Sequence, residues 1–362
     1  MSFGAIAEPA LVATILVAGV VLNRRKDSDG VWTPLSPSSE PLLATADAPY
    51  RDRQVFGRTV RSRNTAVWRN TWLSRTLRRF PFLVEVWYWL LVYWTYQIGR
   101  AVTALTLKDN TLAVAREHGL AIIRIEQRLG IFIEPDVQAY TLARPALMGA
   151  LNRIYSFIHI PGTITFIAWL YAVAPQAIFE ARRRTLAVSN LIAFVIFTAL
   201  PTAPPRLLEA ESGFGFVDTV HKGEVASVWT SNRFCNTLAA MPSLHFGYSF
   251  VIGLTIALGA TGSHSSRLVT LARWIVGMSY PTLILIAIVS TANHYVLDAV
   301  AGGIVASVAW NTNSILKSLL VVEDSFLYLL RVHKPRGAEE EMSNKLYSPV
   351  PEMREENGWR RA

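Results

Sequence analysis

Asn293-His294-Tyr295-Val296-Leu297-Asp298 stands where a polar loop gives way to an apolar run that continues to about Leu320. About fifty residues earlier, Met241-Pro242-Ser243-Leu244-His245-Phe246-Gly247 does the same ahead of another such run. Each stretch places a histidine at the rim of an apolar segment of membrane-spanning character rather than inside it. The fold is read outward from these two rims: an all-α, polytopic membrane helical bundle that brings them together.

The composition agrees. Of 362 residues, 51% are hydrophobic and only 17% charged, and the mean hydropathy is positive. Two soluble domains, the reading that length alone favours, do not have this balance. A formal net charge of +9 is compatible with nucleic-acid binding, but the basic residues cluster beside apolar segments, at Arg24-Arg25-Lys26, from Arg51 to Arg79, at Arg182-Arg183-Arg184 and at the C-terminus. Charges so placed set membrane orientation, and no nucleic-acid partner is expected. Cys235 is the one cysteine, so no internal disulfide forms.

Four regions follow. Residues 1–22 are an N-terminal span, apolar from Ala5 to Leu22 except for Glu8, with its basic residues behind it, which reads as uncleaved with its start outside the cytosol. Residues 23–80 read as a basic, largely disordered cytosolic linker, too polar to offset its conformational entropy. Its last part, Trp68 to Phe80, fits an interfacial helix or a basic stop signal before the next span. Residues 81–320 form a six-span membrane core, with spans at about 82–105, 154–178, 186–200, 244–260, 274–289 and 296–320. Arg100 falls inside the first of these and faces the bundle or snorkels to the interface. The amphipathic stretch 110–145 lies between spans as interfacial helices. Residues 321–362 are a solvated, mobile cytosolic tail.

With the first N-terminus outside, the linker, Arg182 to Arg184, Arg267, Arg273 and the tail share the cytosol, and Arg206, His245 and His294 share the opposite face. Lys108, Arg116, Arg124, Arg128 and Arg144 run against this bias, in a long segment with balancing acids.

On a helix, His294 and Asp298 fall on one face a turn apart. A carboxylate there can hold one imidazole nitrogen as a donor and leave the other's lone pair free to attack. His245 on a neighbouring rim can then protonate a leaving oxygen or deprotonate an incoming hydroxyl. Arg206, after the rigid turn Pro201-Thr202-Ala203-Pro204-Pro205, offers a planar donor fork suited to phosphoryl oxygens. Taken singly, a histidine at a span end is ordinary interfacial polarity and a Pro-rich turn is punctuation. Their joint occurrence on one face points to metal-free phosphoryl transfer without a cofactor. A metal site needs more ligands than the His-x-x-x-Asp pair supplies. His159, with Tyr155 and Pro161, sits near the same face and either lines the site or packs a span. Gly302, Gly303, Ala299 and Ala306 mark a closely packed helix.

The chain resembles the phosphatidic acid phosphatase type 2 superfamily over roughly residues 82–318. Pro242-Ser243-Leu244-His245 is similar to its second motif and His294 to Asp298 to the end of its third. The Pro-rich turn and the Ala240-Met241 context are similar to its inositol phosphorylceramide synthase branch. The resemblance implies that His294 becomes a phosphohistidine, that Asp298 orients it and that His245 is the acid and base; Arg206, Ser243 and His159 are expected toward substrate. Two cationic positions of the phosphatases are absent: the first motif's lysine falls on Ala199, and the third motif's Ser-Arg opening falls on Ala287 and Ile288. Arg233 and Lys222 are further candidates for the phosphate pocket. The expected partners are membrane lipids, namely phosphatidylinositol with ceramide, or a lipid phosphate, and the expected place is an endomembrane (Golgi or ER) with the site lumenal. A phosphatase using water as acceptor and a catalytically silent scaffold or lipid binder are the rivals.

Overall fold

The computed structural model describes residues 3–24, 49–106, 110–208, 213–220, 237–260 and 266–334. Lys222, Arg233 and Cys235, the Arg100 side chain, the middle of the linker and the end of the tail lie outside the described residues. The fold is all-α apart from one hairpin. The helices are α1 (Phe3–Leu22), α2 (Trp72–Arg79), α3 (Leu83–Thr106), α4 (Thr111–Leu129), α5 (Glu134–Leu142), α6 (Pro145–Phe157), α7 (His159–Val173) and α8 (Gln176–Ala199), then α9 (Leu244–Leu258), α10 (Arg267–Ser290), α11 (Val296–Thr312) and α12 (Leu320–Leu329). Apolar runs become helices because the helix alone satisfies its own N–H and C=O groups away from water.

Helices α8 to α11 pack together as the centre of the bundle. Two close backbone approaches set their spacing. Gly253 of α9 faces Gly277 of α10, and Gly247 of α9 faces Gly302 of α11. A Cβ on Gly302 would meet the Ser243 carbonyl oxygen, so the small residues of α11 are the condition for its contact with the start of α9. The core around this contact joins Ile284, Ile288 and Val289 of α10 to Ala299 of α11.

Helices α6 and α7 meet at a bend of 57° near Ile158. Pro161 explains it: without an N–H it cannot bond the Phe157 carbonyl, and its ring crowds the preceding turn. The span expected over 154–178 is therefore broken near its start. By length and apolar composition two helices among the described residues can cross a membrane, Arg267–Ser290 and the run Val296–Leu329, or three if the bent pair is one span. The six-plus-one count is not reached on those grounds. Helix α9 has 15 residues, about 22 Å of rise against a hydrocarbon core of about 30 Å. Helix α8 carries Glu180 and three arginines.

Two expectations about order are corrected. Residues 49–80, assigned to the disordered linker, are folded: strands β1 (Tyr50–Val55) and β2 (Arg58–Arg63) pair antiparallel across Phe56-Gly57, both at positive φ as a two-residue turn of this hand requires. Thr71 caps α2 through its side chain. The tail, expected to be solvated, begins with α12, whose Asp324 is fully buried. That carboxylate accepts hydrogen bonds from Arg51, from Arg53 Nε at 3.0 Å and from Ser62 Oγ at 2.6 Å. Buried ion pairing between segments about 270 positions apart orders chain that apolar burial alone would leave loose.

Candidate active site

Four segments converge above the α9–α11 contact. The turn after α8 is tied to the approach to α9 by Thr202 N to Leu238 O at 2.7 Å and Ala240 N to Thr202 O at 3.1 Å. Arg206 N donates to Ala292 O at 3.0 Å, and Ser243 N donates to Asp298 O at 2.9 Å. Helix α10 ends in a tight turn with Ala292 at φ 52°, where Ala292 N bonds Val289 O and Asn293 N bonds Ile288 O. A glycine usually occupies this left-handed position after a helix. The turn reverses the chain so that His294 emerges just ahead of α11.

His294 is 5% exposed and Asp298 fully buried. Sequence spacing predicted that Asp298 would hold the imidazole; the nearer partner of His294 Nδ1 is the Ala240 carbonyl oxygen at 2.8 Å, with Asp298 Oδ2 at 3.4 Å. A carbonyl oxygen can only accept, so Nδ1 carries the proton and Nε2 keeps its lone pair. Asp298 Oδ2 also accepts from Tyr295 N at 2.9 Å, capping α11.

His245, in the first turn of α9, has its ring centroid 5.7 Å from that of His294. Tyr155 stacks on it at 4.6 Å and His159 lies at 4.5 Å, itself 5.2 Å from Tyr248. The bend at Ile158 is what delivers Tyr155 from α6 and His159 from α7 to one imidazole. His159 thus lies against His245 as well as against Tyr248.

Arg206 donates from Nε to Asn293 Oδ1 at 2.8 Å and from Nη1 to Asp218 Oδ2 at 3.5 Å. Asn293 is anchored in turn by donating to Thr291 Oγ1 at 2.9 Å. The guanidinium thus stands beside His294 through the neighbouring residue's side chain. Ser243 is placed differently from the substrate-facing position expected of it: it is fully buried and its hydroxyl accepts from Phe246 N at 3.4 Å as the cap of α9. The residues that sequence reasoning missed are the Ala240 carbonyl, which leaves no side-chain signal, and Asn293 and Asp218, whose roles depend on where Arg206 folds.

His159, His245, His294 and Arg206 line one end of a cavity of about 1640 Å³. Its walls run along the aromatic face of α3, with Trp87 and Tyr96, and along Leu186 and Phe194 of α8. The far end reaches Arg183, which pairs with Glu85 at 2.6 and 2.7 Å, and Lys334, which pairs with Glu323. Small-molecule pockets commonly hold about 300 to 1,000 Å³. A larger, mostly apolar chamber with cations and imidazoles at one end suits an amphiphile with long chains.

No curated protein and no solved structure matches the sequence. A family model described as PAP2 superfamily matches residues 120–312, more than half of the chain and every side chain of the histidine cluster. The chain belongs to the PAP2 superfamily.

Proposed function

We propose that the protein is a membrane lipid phosphotransferase of the inositol phosphorylceramide synthase kind, working through a phosphohistidine at His294. The observation that carries this is the trio of histidines, His294 buried and His159 and His245 half-buried, beside Arg206 at the end of the apolar cavity. In the first step the His294 Nε2 lone pair attacks the phosphorus of a glycerophospholipid. The bond from phosphorus to the diacylglycerol oxygen breaks, His245 gives that oxygen its proton, and the phosphoryl-alcohol headgroup stays on His294. In the second step His245 takes the proton of a ceramide or other lipid hydroxyl, that oxygen attacks phosphorus, and His294 leaves. The proton account closes with His245 protonated again. Arg206 neutralises charge on the phosphoryl oxygens, Asp298 stabilises the charged imidazole, and His159 lines the acceptor side.

A diester fits the site better than a monoester. The diester carries one negative charge and the monoester about two, while Ala199 and Ile288 stand where the phosphatases of the resembled family have cationic ligands. Ala287 and Ile288 are fully buried in the core. On the basic-flank rule the site faces the lumen of an endomembrane compartment.

The test is purified protein with headgroup-labelled phosphatidylinositol plus ceramide, beside labelled phosphatidate alone, for wild type and His294→Ala. Label in a ceramide-linked product with wild type only supports the transferase. Phosphate released from phosphatidate instead makes the protein a phosphatase with water as acceptor. Silence of wild type in both, with His294→Ala behaving as wild type in cells, leaves the scaffold reading standing.

A further inference from the structure

The start of α11 is held from outside the bundle. Three consecutive backbone N–H groups each meet a different carboxylate: Tyr295 N donates to Asp298 Oδ2 at 2.9 Å, Val296 N to Glu134 Oε1 at 2.9 Å, and Leu297 N to Glu126 Oε1 at 2.7 Å. Glu126 belongs to the last turn of α4 and Glu134 is the first residue of α5, the two helices read as interfacial. Both glutamates are fully buried. Their outer oxygens, Oε2 of each, have no hydrogen-bond partner, and the charge of Glu134 acts on Glu126. Two buried carboxyl groups this close repel each other when both are ionised, which favours a proton on one of them.

We infer that Glu126 and Glu134 are positioning residues of the active site, a carboxyl pair that clamps the first turn of α11 and through it sets His294 against His245. This rests on the reading of His294 as the nucleophile. The clamp acts two and three residues from His294, where the chain is already fixed on its other side by the Ala240 carbonyl. Among the groups that face the pair are Asp298 and Tyr295 of α11. Burial, then the neighbouring Glu134 carboxyl, pushes the Glu126 carboxyl up to about 9. The sign follows: below that pH the pair holds one proton and one charge at the helix N-terminus, a favourable arrangement. As pH rises through it, the proton is lost and two buried charges face each other beside Asp298. The clamp is therefore intact at neutral pH and opens in alkali.

Full-length wild type, Glu126→Gln and Glu126→Ala are compared by turnover across the neutral to alkaline range and by amide hydrogen exchange of the 293–299 segment, corrected for intrinsic pH dependence. A glutamine reproduces the protonated carboxyl, accepting from Leu297 N and donating to Glu134. Glu126→Gln is expected to keep kcat at neutral pH within about threefold and to lose the alkaline decline expected of wild type near pH 9. Glu126→Ala is expected to speed exchange by about tenfold or more and to lower kcat by about 10²-fold, with KM nearly unchanged. Wild-type exchange in Glu126→Ala, or an unaltered alkaline limb in Glu126→Gln, overturns the inference. Should His294→Ala turn over like wild type, the nucleophile assignment fails separately, and exchange alone decides whether the pair holds the helix.

Discussion

Replacing Asp298 with asparagine separates two roles that the His-x-x-x-Asp spacing merges. In a serine protease triad, where the carboxylate fixes the histidine tautomer, the same change costs about 10⁴-fold in kcat. Here the tautomer is fixed by the Ala240 carbonyl at 2.8 Å, which the substitution leaves in place. The asparagine side-chain oxygen can still accept from Tyr295 N, so the cap of α11 survives. What is lost is the negative charge 3.4 Å from Nδ1, which steadies the imidazole as it takes up positive character. A charge-assisted hydrogen bond contributes about 1.5 to 3 kcal/mol, or about 10- to 150-fold in rate. Because 3.4 Å is long for such a bond, the expected loss of kcat in Asp298→Asn lies near the lower end, about 10- to 30-fold. KM should change little, because the charge acts on a group that becomes positive only during reaction. The assay is steady-state transfer from labelled phospholipid in detergent, with thermal unfolding as the control for folding. A loss approaching 10⁴-fold with unchanged Tm would show that Asp298, and not Ala240, sets the tautomer. A loss under about threefold would remove Asp298 from the chemistry altogether.

Arg206→Lys keeps a positive charge but not the fork that reaches Asn293 and Asp218 together, and kcat/KM for the lipid donor should fall by about 10²-fold; near-wild-type kinetics would mean that the guanidinium does not meet phosphate. Gly302→Ala puts a methyl group against the Ser243 carbonyl and should cost about 1 to 3 kcal/mol while separating His245 from His294, read as lowered Tm and lowered kcat together. An alanine variant with wild-type Tm would show that α9 and α11 have slack at that point. Asp324→Ala leaves Arg51 and Arg53 facing a vacated carboxylate site, at a cost of about 3 to 5 kcal/mol to that layer. Limited proteolysis should then cut within residues 49–80 while the histidine cluster keeps its activity, and unchanged resistance would refute the tie.

The membrane helices and the two histidine rims were legible because both are local facts: an apolar run needs only its own composition, and a motif only its own spacing. The hairpin and α12 were illegible because their order comes from Asp324 meeting arginines far away in the chain. Ser243 was misjudged because motif membership does not tell a capping hydroxyl from a substrate contact. Glu126 and Glu134 looked like the charged faces of solvated amphipathic helices, and no local pattern signals that both end in a buried interior.

By itself the sequence determined a largely helical chain with apolar segments fit to cross a membrane and with His245, His294, Asp298 and Arg206 near the ends of such segments, since hydropathy and spacing act over a few turns of chain. Only the tertiary structure decided which atom holds His294 Nδ1, that Tyr155 and His159 reach His245 across a proline bend, and that two buried glutamates grip the start of α11. Those facts depend on distances between segments far apart in sequence, and such distances are set by packing, not by composition.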